Sequence, residues 1–257
     1  MSDIAVVVDQ VSKRFRMYRK RNQTLKAALL RGRVSDHDDF WALRDVSFDV
    51  PRGETFGLVG RNGSGKSTLL KTLARIYVPD EGRVVMNGRT SSMLEVGSGF
   101  HPELSGRENI YLNGSILGLK RKQIAARFDD IVDFSGVEAF IDQPVKNYSS
   151  GMYVRLGFAV AVHTEPDILI VDEVLAVGDG AFREKSRRKF LEFTGEGRTV
   201  ILVTHSLPQI RSMCQQAAWL ENGRLRALGD PTTVTEEYEA SLADDDGHLP
   251  TPGFDDD

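Results

Sequence analysis

The chain of 257 residues has one cysteine, Cys214. An internal disulfide framework is therefore excluded, and a reducing compartment fits. No uninterrupted apolar run approaches the ~18 residues that span a bilayer. The first residues, Met1 to Asp9, lack the basic start and long apolar stretch of a secretory leader. Work on a membrane substrate would then need a separate membrane protein. Positive charge is not in excess either. The formal net charge is −4, so no global basic field argues for nucleic acid. No internal repeat occurs. The length suffices to bury a sizeable core, as one large domain or one with a subdomain.

What is present begins with Gly60-Arg61-Asn62-Gly63-Ser64-Gly65-Lys66-Ser67, a full match to G-x-x-x-x-G-K-[ST]. Glycines let the backbone turn its N–H groups inward and approach a polyphosphate closely. Lys66 adds a point charge for the outer phosphates, and the Ser67 hydroxyl can hold Mg²⁺. Glu54 to Val59 reads as a short buried strand leading in. Thr68 to Ile76 continues as a helix with apolar residues at 69, 70, 73 and 76. Strand, glycine loop and helix N-terminus together bind anions. The phosphate contacts expected are Gly60, Asn62, Gly63, Ser64, Gly65, Lys66, Ser67 and Thr68. A glycine-rich turn that binds nothing would not need this flanking pattern.

Apolar bursts of strand length alternate with helical patterns along the chain. Strands are expected at 4–8, 46–50, 55–59, 84–87, 168–171 and 200–203. The last two are fully apolar, as suits a parallel sheet covered on both faces. Helical patterns follow Lys66, Gly106, Lys120 and Gly151, and another runs through 182–193. The fold class is α/β, with an inserted, mostly helical segment at roughly 100–160. Residues 244–257 hold six Asp, two Pro, two Gly and no Lys or Arg, and read as a disordered solvated tail.

A second motif is Ile168-Leu169-Ile170-Val171-Asp172-Glu173. Its carboxylates follow a buried strand at the end where ligands bind in open α/β sheets. Asp172 is placed to reach Mg²⁺, directly or through water, and Glu173 to polarise an attacking water. Acids also favour an ordinary strand-to-turn boundary. About a hundred residues after a phosphate loop, the pair carries more weight. A third motif is Tyr148-Ser149-Ser150-Gly151-Met152, with Arg155 following. Ser149, Ser150 and Gly151 open a helix, so N–H groups and a hydroxyl can face an anion. Taken locally, a plain helix cap is the better reading; it loses ground because the segment lies shortly before the Asp172-Glu173 strand.

In this order the motifs resemble the nucleotide-binding subunits of ABC transporters. Ser149 and Gly151 match the serine and second glycine of that family's L-S-G-G-Q signature. The resemblance covers about residues 4–240. It implies a P-loop ATPase domain with a parallel core, an antiparallel β subdomain and a helical subdomain. It also implies His205 as the switch histidine, Asp179 in the loop after the acid pair, and Phe15 as an aromatic stacking on adenine. Glu95 is the nearest equivalent of the family's Q-loop residue and a candidate metal contact. The form Y-S-S-G-M, the stretch Leu94 to Asn109, and Phe40-Trp41-Ala42-Leu43-Arg44-Asp45-Val46-Ser47-Phe48 are similar to exporters of lipid-linked polysaccharide. These include O-antigen, capsule, teichoic acid and galactan exporters.

The resemblance implies ATP and Mg²⁺ as cofactors and a head-to-tail dimer of two copies. It further implies an integral membrane permease, a lipid-linked glycan substrate and a place at the cytoplasmic face of the membrane. Some exporters of this kind append a carbohydrate-binding domain after the ATPase. Here the ATPase domain is expected at 1–243, which would leave substrate choice to the permease. A soluble ABC ATPase acting on ribosomes or DNA is the rival. Such proteins generally carry two ATPase halves or a long coiled-coil insertion, and neither is visible.

One stretch departs from a minimal ABC ATPase. Lys13 to Arg33 holds nine Lys or Arg and no acid, within an inserted segment at about 16–41. Leu25, Leu29 and Leu30 recur at helical spacing. Either a solvated basic hairpin or an element facing anionic headgroups or a pyrophosphate-linked substrate accounts for it.

Overall fold

The computed structural model describes residues 3–18, 37–93, 99–172 and 179–246. Strands β1 (Ile4–Tyr18) and β2 (His37–Pro51) pair antiparallel, from Ile4 opposite Pro51 to Tyr18 opposite His37. Next come β3 (Thr55–Val59), α1 (Lys66–Leu73), β4 (Glu81–Met86) and β5 (Thr90–Ser92). Three helices follow: α2 (Gly106–Ile116), α3 (Arg121–Ser135) and α4 (Ser150–His163). The remainder runs β6 (Ile168–Asp172), α5 (Gly180–Gly195), β7 (Thr199–Val203), α6 (Leu207–Met213), β8 (Gln216–Glu221), β9 (Arg224–Gly229) and α7 (Pro231–Asp246).

Two sheets result. One is antiparallel, in the order β2-β1-β4; the other runs β5-β6-β7-β3-β8-β9. In the second, β5, β6, β7, β3 and β8 are parallel, and β9 turns back antiparallel on β8. The central parallel strands β3, β6 and β7 are largely apolar because both faces are covered. Ile168 and Ile170, with Ile201 and Val203, join a core with the antiparallel sheet and Leu69, Leu70 and Leu73 of α1. The alternate residues, Leu169 and Val171 with Val200 and Leu202, join a second core. That core takes in Phe158 of α4, Phe182 and Phe190 of α5, and Ile210 of α6. A run of alternating Ile and Leu thus serves two layers at once.

Helices α2 to α4 lie consecutively between β5 and β6. Ser105 caps α2 in a reciprocal box, its hydroxyl accepting from the Glu108 N–H while Glu108 accepts from the Ser105 N–H. Gly136 closes α3 in a left-handed conformation, with φ 64°.

Several boundaries differ from the sequence reading. Helix α1 stops at Leu73, and Arg75 two residues on takes φ 60°, which ends the helical path. The C-terminal helix continues three residues past the expected start of the tail, to Asp246. Residues 16–18 and 37–41 of the expected insertion are strand residues of the β1–β2 pair. The leucine pattern at 25, 29 and 30 lies outside the described residues, as does the tail from 247.

Candidate nucleotide site

Three neighbouring strands deliver the site. In the order β6-β7-β3, Asp172 lies opposite Val203, and Val203 lies opposite Leu58. One residue past β3, at Gly60, the glycine loop begins. Two residues past β7 stands His205. Loop, acid and histidine therefore meet at the carboxyl edge of the parallel sheet, because register forces them there. A cleft of about 460 Å³ opens at this edge, lined by Phe40, Ala42, Asn62, Gly63, Gly65, Lys66, Ser67, Thr68, Asp172, Val203 and His205.

The loop's shape depends on its glycines. A Cβ on Gly60 would run into the Leu220 carbonyl, and one on Gly65 would sit 2.6 Å from the Ala42 carbonyl. Gly65 also holds φ 106°, a region that L side chains rarely adopt. Lys66 is 9% exposed, and its ammonium donates to the carbonyls of Gly60 (2.6 Å) and Arg61 (2.9 Å). The charge is thereby fixed over the loop. The Ser64 hydroxyl is buried without a hydrogen-bond partner among the described residues.

Other expected site residues lie elsewhere. Ser149 caps α4, accepting from the Met152 N–H at 3.2 Å, and Ser149 and Ser150 are exposed. None of Ser149, Ser150 and Gly151 lines the cleft. Asp179 caps α5, accepting from the Phe182 N–H at 2.8 Å. Phe15 is half-buried and packs edge-on against Tyr77, with centroids 5.4 Å apart. The aromatic that lines the cleft is Phe40. Sequence reading passed over Phe40, which lies outside the strand expected at 46–50 and joins β2 only in the structure. Glu173 and Glu95 lie outside the described residues.

These features define a P-loop nucleotide-binding domain of α/β type. The ABC transporter family profile matches residues 43–176. The O-antigen export system ATP-binding protein RfbB of Myxococcus xanthus is 48% identical over 93% of this chain and 56% of its own length. Its Klebsiella pneumoniae counterpart is 47% identical, over 84% of this chain and 85% of its own. The teichoic acids export ATP-binding protein TagH of Listeria innocua is 43% identical, over 92% and 70%. A solved ATP-binding subunit of an ABC transporter superposes with TM-score 0.72 at 23% identity, covering 91% of this chain and 93% of that one. The chain belongs to the ABC transporter family and carries its ATP-binding domain. It spans little more than half the length of the Myxococcus relative. No helix among the described residues is long and apolar enough to cross a membrane.

Proposed function

We propose that this chain is the ATP-hydrolysing subunit of an exporter that moves a lipid-linked polysaccharide across the cytoplasmic membrane. The observation that carries the ATPase reading is the convergence of the glycine loop, Lys66, Ser67, Asp172 and His205 on one cleft. The similarity to O-antigen and teichoic acid export proteins supports the substrate class.

The cleft's chemistry fits phosphoryl transfer to water, which depends on positioning and charge neutralisation. Loop N–H groups and Lys66 hold the phosphates. Among the described residues no cluster of three or more His, Cys, Asp or Glu forms a metal site alone. Ser67 and Asp172 instead supply a hydroxyl and one carboxylate, the sparse oxygen set that suits Mg²⁺ shared with phosphates and water. Bound there, Mg²⁺ would offset phosphate charge. Glu173, next after Asp172, orients or deprotonates the attacking water, and His205 meets the γ-phosphate side.

Ser149, Ser150 and Gly151 open their helix away from this cleft. They serve the nucleotide of a second copy, so two chains complete two equivalent sites. Closure and reopening of that dimer drives the permease. A groove lined by Leu73, Ile76, Thr90 and Leu117, beside the exposed Ile116, is the docking place we assign to the permease. The subunit is then peripheral at the cytoplasmic face.

Two measurements test this reading. Glu173→Gln should bind ATP and lose about 10²-fold or more of its turnover. Affinity capture from membranes should recover a six-span permease with a bound lipid-linked glycan. Near-normal hydrolysis by Glu173→Gln would sink the catalytic assignment, and capture of ribosomes instead would sink the export assignment.

A further inference from the structure

His205 stands in a short connection, since β7 ends at Val203 and α6 begins at Leu207. Its neighbours on either side are tied to each other. The Thr204 hydroxyl accepts from the Ser206 N–H at 3.1 Å and donates to Oε1 of Gln209 at 3.0 Å. The first bond closes a turn around His205, of the kind a threonine forms with the N–H two residues on. The second takes the hydroxyl's one proton, which leaves its lone pairs for the Ser206 N–H. Gln209 is itself fixed at the helix start, where its N–H donates to the Ser206 carbonyl at 3.0 Å.

An ordinary helix cap does not account for this arrangement. Ser206 and Gln209 have the spacing of a reciprocal capping box. Yet the Ser206 hydroxyl makes no capping bond, and the Ser206 N–H goes to Thr204 instead of Gln209. In α2 the same spacing, Ser105 and Glu108, gives the complete box. At α6 the side chain of Gln209 reaches past the cap, to the residue before the histidine. Gln209 is exposed, and α6 is held to the body by other contacts. Ile210 is fully buried, and Arg211 donates to the Thr235 hydroxyl of α7 at 2.7 Å and pairs with Glu239. The seating of the helix therefore does not rest on Gln209.

We propose that Gln209 is a positioning residue for hydrolysis: through the Thr204 hydroxyl it holds the turn that presents His205 to the cleft. The inference rests on the role proposed above for His205, which lines the cleft together with Lys66 and Asp172. A turn held on both sides leaves the imidazole less freedom to swing away. The contribution then falls on the reacting geometry at the γ-phosphate rather than on nucleotide binding.

The test is steady-state ATPase kinetics of the full chain, with a thermal midpoint for each variant. Gln209→Leu removes the acceptor and should lower kcat about fivefold, the equivalent of one neutral hydrogen bond. KM and thermal midpoint should stay near wild type. Gln209→Glu keeps an acceptor at the same reach and should retain most of the turnover. Thr204→Val should lose at least as much as Gln209→Leu, and adding Gln209→Leu to it should remove nothing further, because both changes break one linkage. Wild-type kcat in Gln209→Leu would overturn the proposal. So would an equal loss in Gln209→Glu, additive losses in the double variant, or an effect on KM alone. His205→Ala separates the two levels. If it turns over ATP like wild type, the role of His205 fails. If it is impaired while Gln209→Leu is not, only the positioning by Gln209 fails.

Discussion

Arg155 reaches across from one helix to the cap of another: its Nη1 lies 3.9 Å from Oδ2 of Asp179. The guanidinium also lies over the Phe182 ring, 6.0 Å from its centroid. Asp179 caps α5, and Arg155 belongs to α4, whose cap is Ser149. The bridge therefore ties the helix that opens with Ser149 to the helix that follows Asp172. In the proposed dimer these two belong to different ATP sites. Arg155→Ala should lower steady-state turnover by about 5- to 10-fold, the range of a modest coupling energy. ATP affinity of the isolated chain should move less than turnover does. Equal losses in both would make Arg155 a packing residue only.

A split site has its own signature. A mixed dimer of one Lys66→Ala copy and one Ser149→Arg copy keeps one composite site intact. Placing both changes in the same copy damages both sites, one through each face. ATPase rates of the two mixed dimers should differ, with the first retaining the higher activity. Identical rates in every pairing would remove the head-to-tail arrangement.

His163 closes α4, largely buried, with Nδ1 2.7 Å from the Ala159 carbonyl and its ring edge-on to Phe134. Burial, the leading cause, holds its pKa below the usual histidine value, and Lys189 works in the same direction. The Ala159 hydrogen bond, Asp130 and Glu192 oppose it without reversing the sign. Between the lowered folded value and the ordinary one near ~6.5, the unfolded chain binds more protons than the folded chain. Stability should therefore fall as pH drops through that window and be fully present above it. The thermal midpoint of wild type should decline more steeply than that of His163→Gln between roughly pH 7.5 and 5.5. Parallel profiles would show that His163 charges freely in the folded state.

The basic stretch is a separate question from the nucleotide site. Each Lys or Arg near an anionic leaflet is worth about 1 kcal/mol, screened within a Debye length. Neutralising Arg19, Lys20, Arg21 and Lys26 together should reduce the stimulation of ATPase activity by lipid-linked glycan in the full complex. Basal ATPase of the isolated chain is the control. Equal stimulation in wild type and quadruple variant would favour the solvated-hairpin reading.

Sequence alone exposed the parts of this fold that are doubly buried. β3, β6 and β7 are largely apolar because each packs on two layers, and their ends set the loop, Asp172 and His205. The β8–β9 hairpin was missed, although it carries a strong local signal. Asn222 and Gly223 hold φ 49° and 74°, as a two-residue turn with both central residues left-handed requires. β9 escaped notice because arginines alternate with its apolar residues and only one face is covered. The final helix was also missed, although Asp230 accepts from the N–H groups of Thr232 and Thr233, and Pro231 stands at its first position. Phe40 was hidden for a different reason. Phe15 and Phe40 are equally aromatic in sequence, and only the fold turns Phe15 onto Tyr77 and sets Phe40 on the cleft wall.

The pairing of Tyr18 with His37 has a consequence for how such proteins can be rebuilt. Antiparallel partners stand about 5 Å apart, so the two anchors Tyr18 and His37 lie at nearly one point. Closing a loop costs only ~0.6 kcal/mol more for each doubling of its length. The segment between these anchors can therefore be exchanged, shortened to a tight turn or replaced by another sequence at little cost to the cassette.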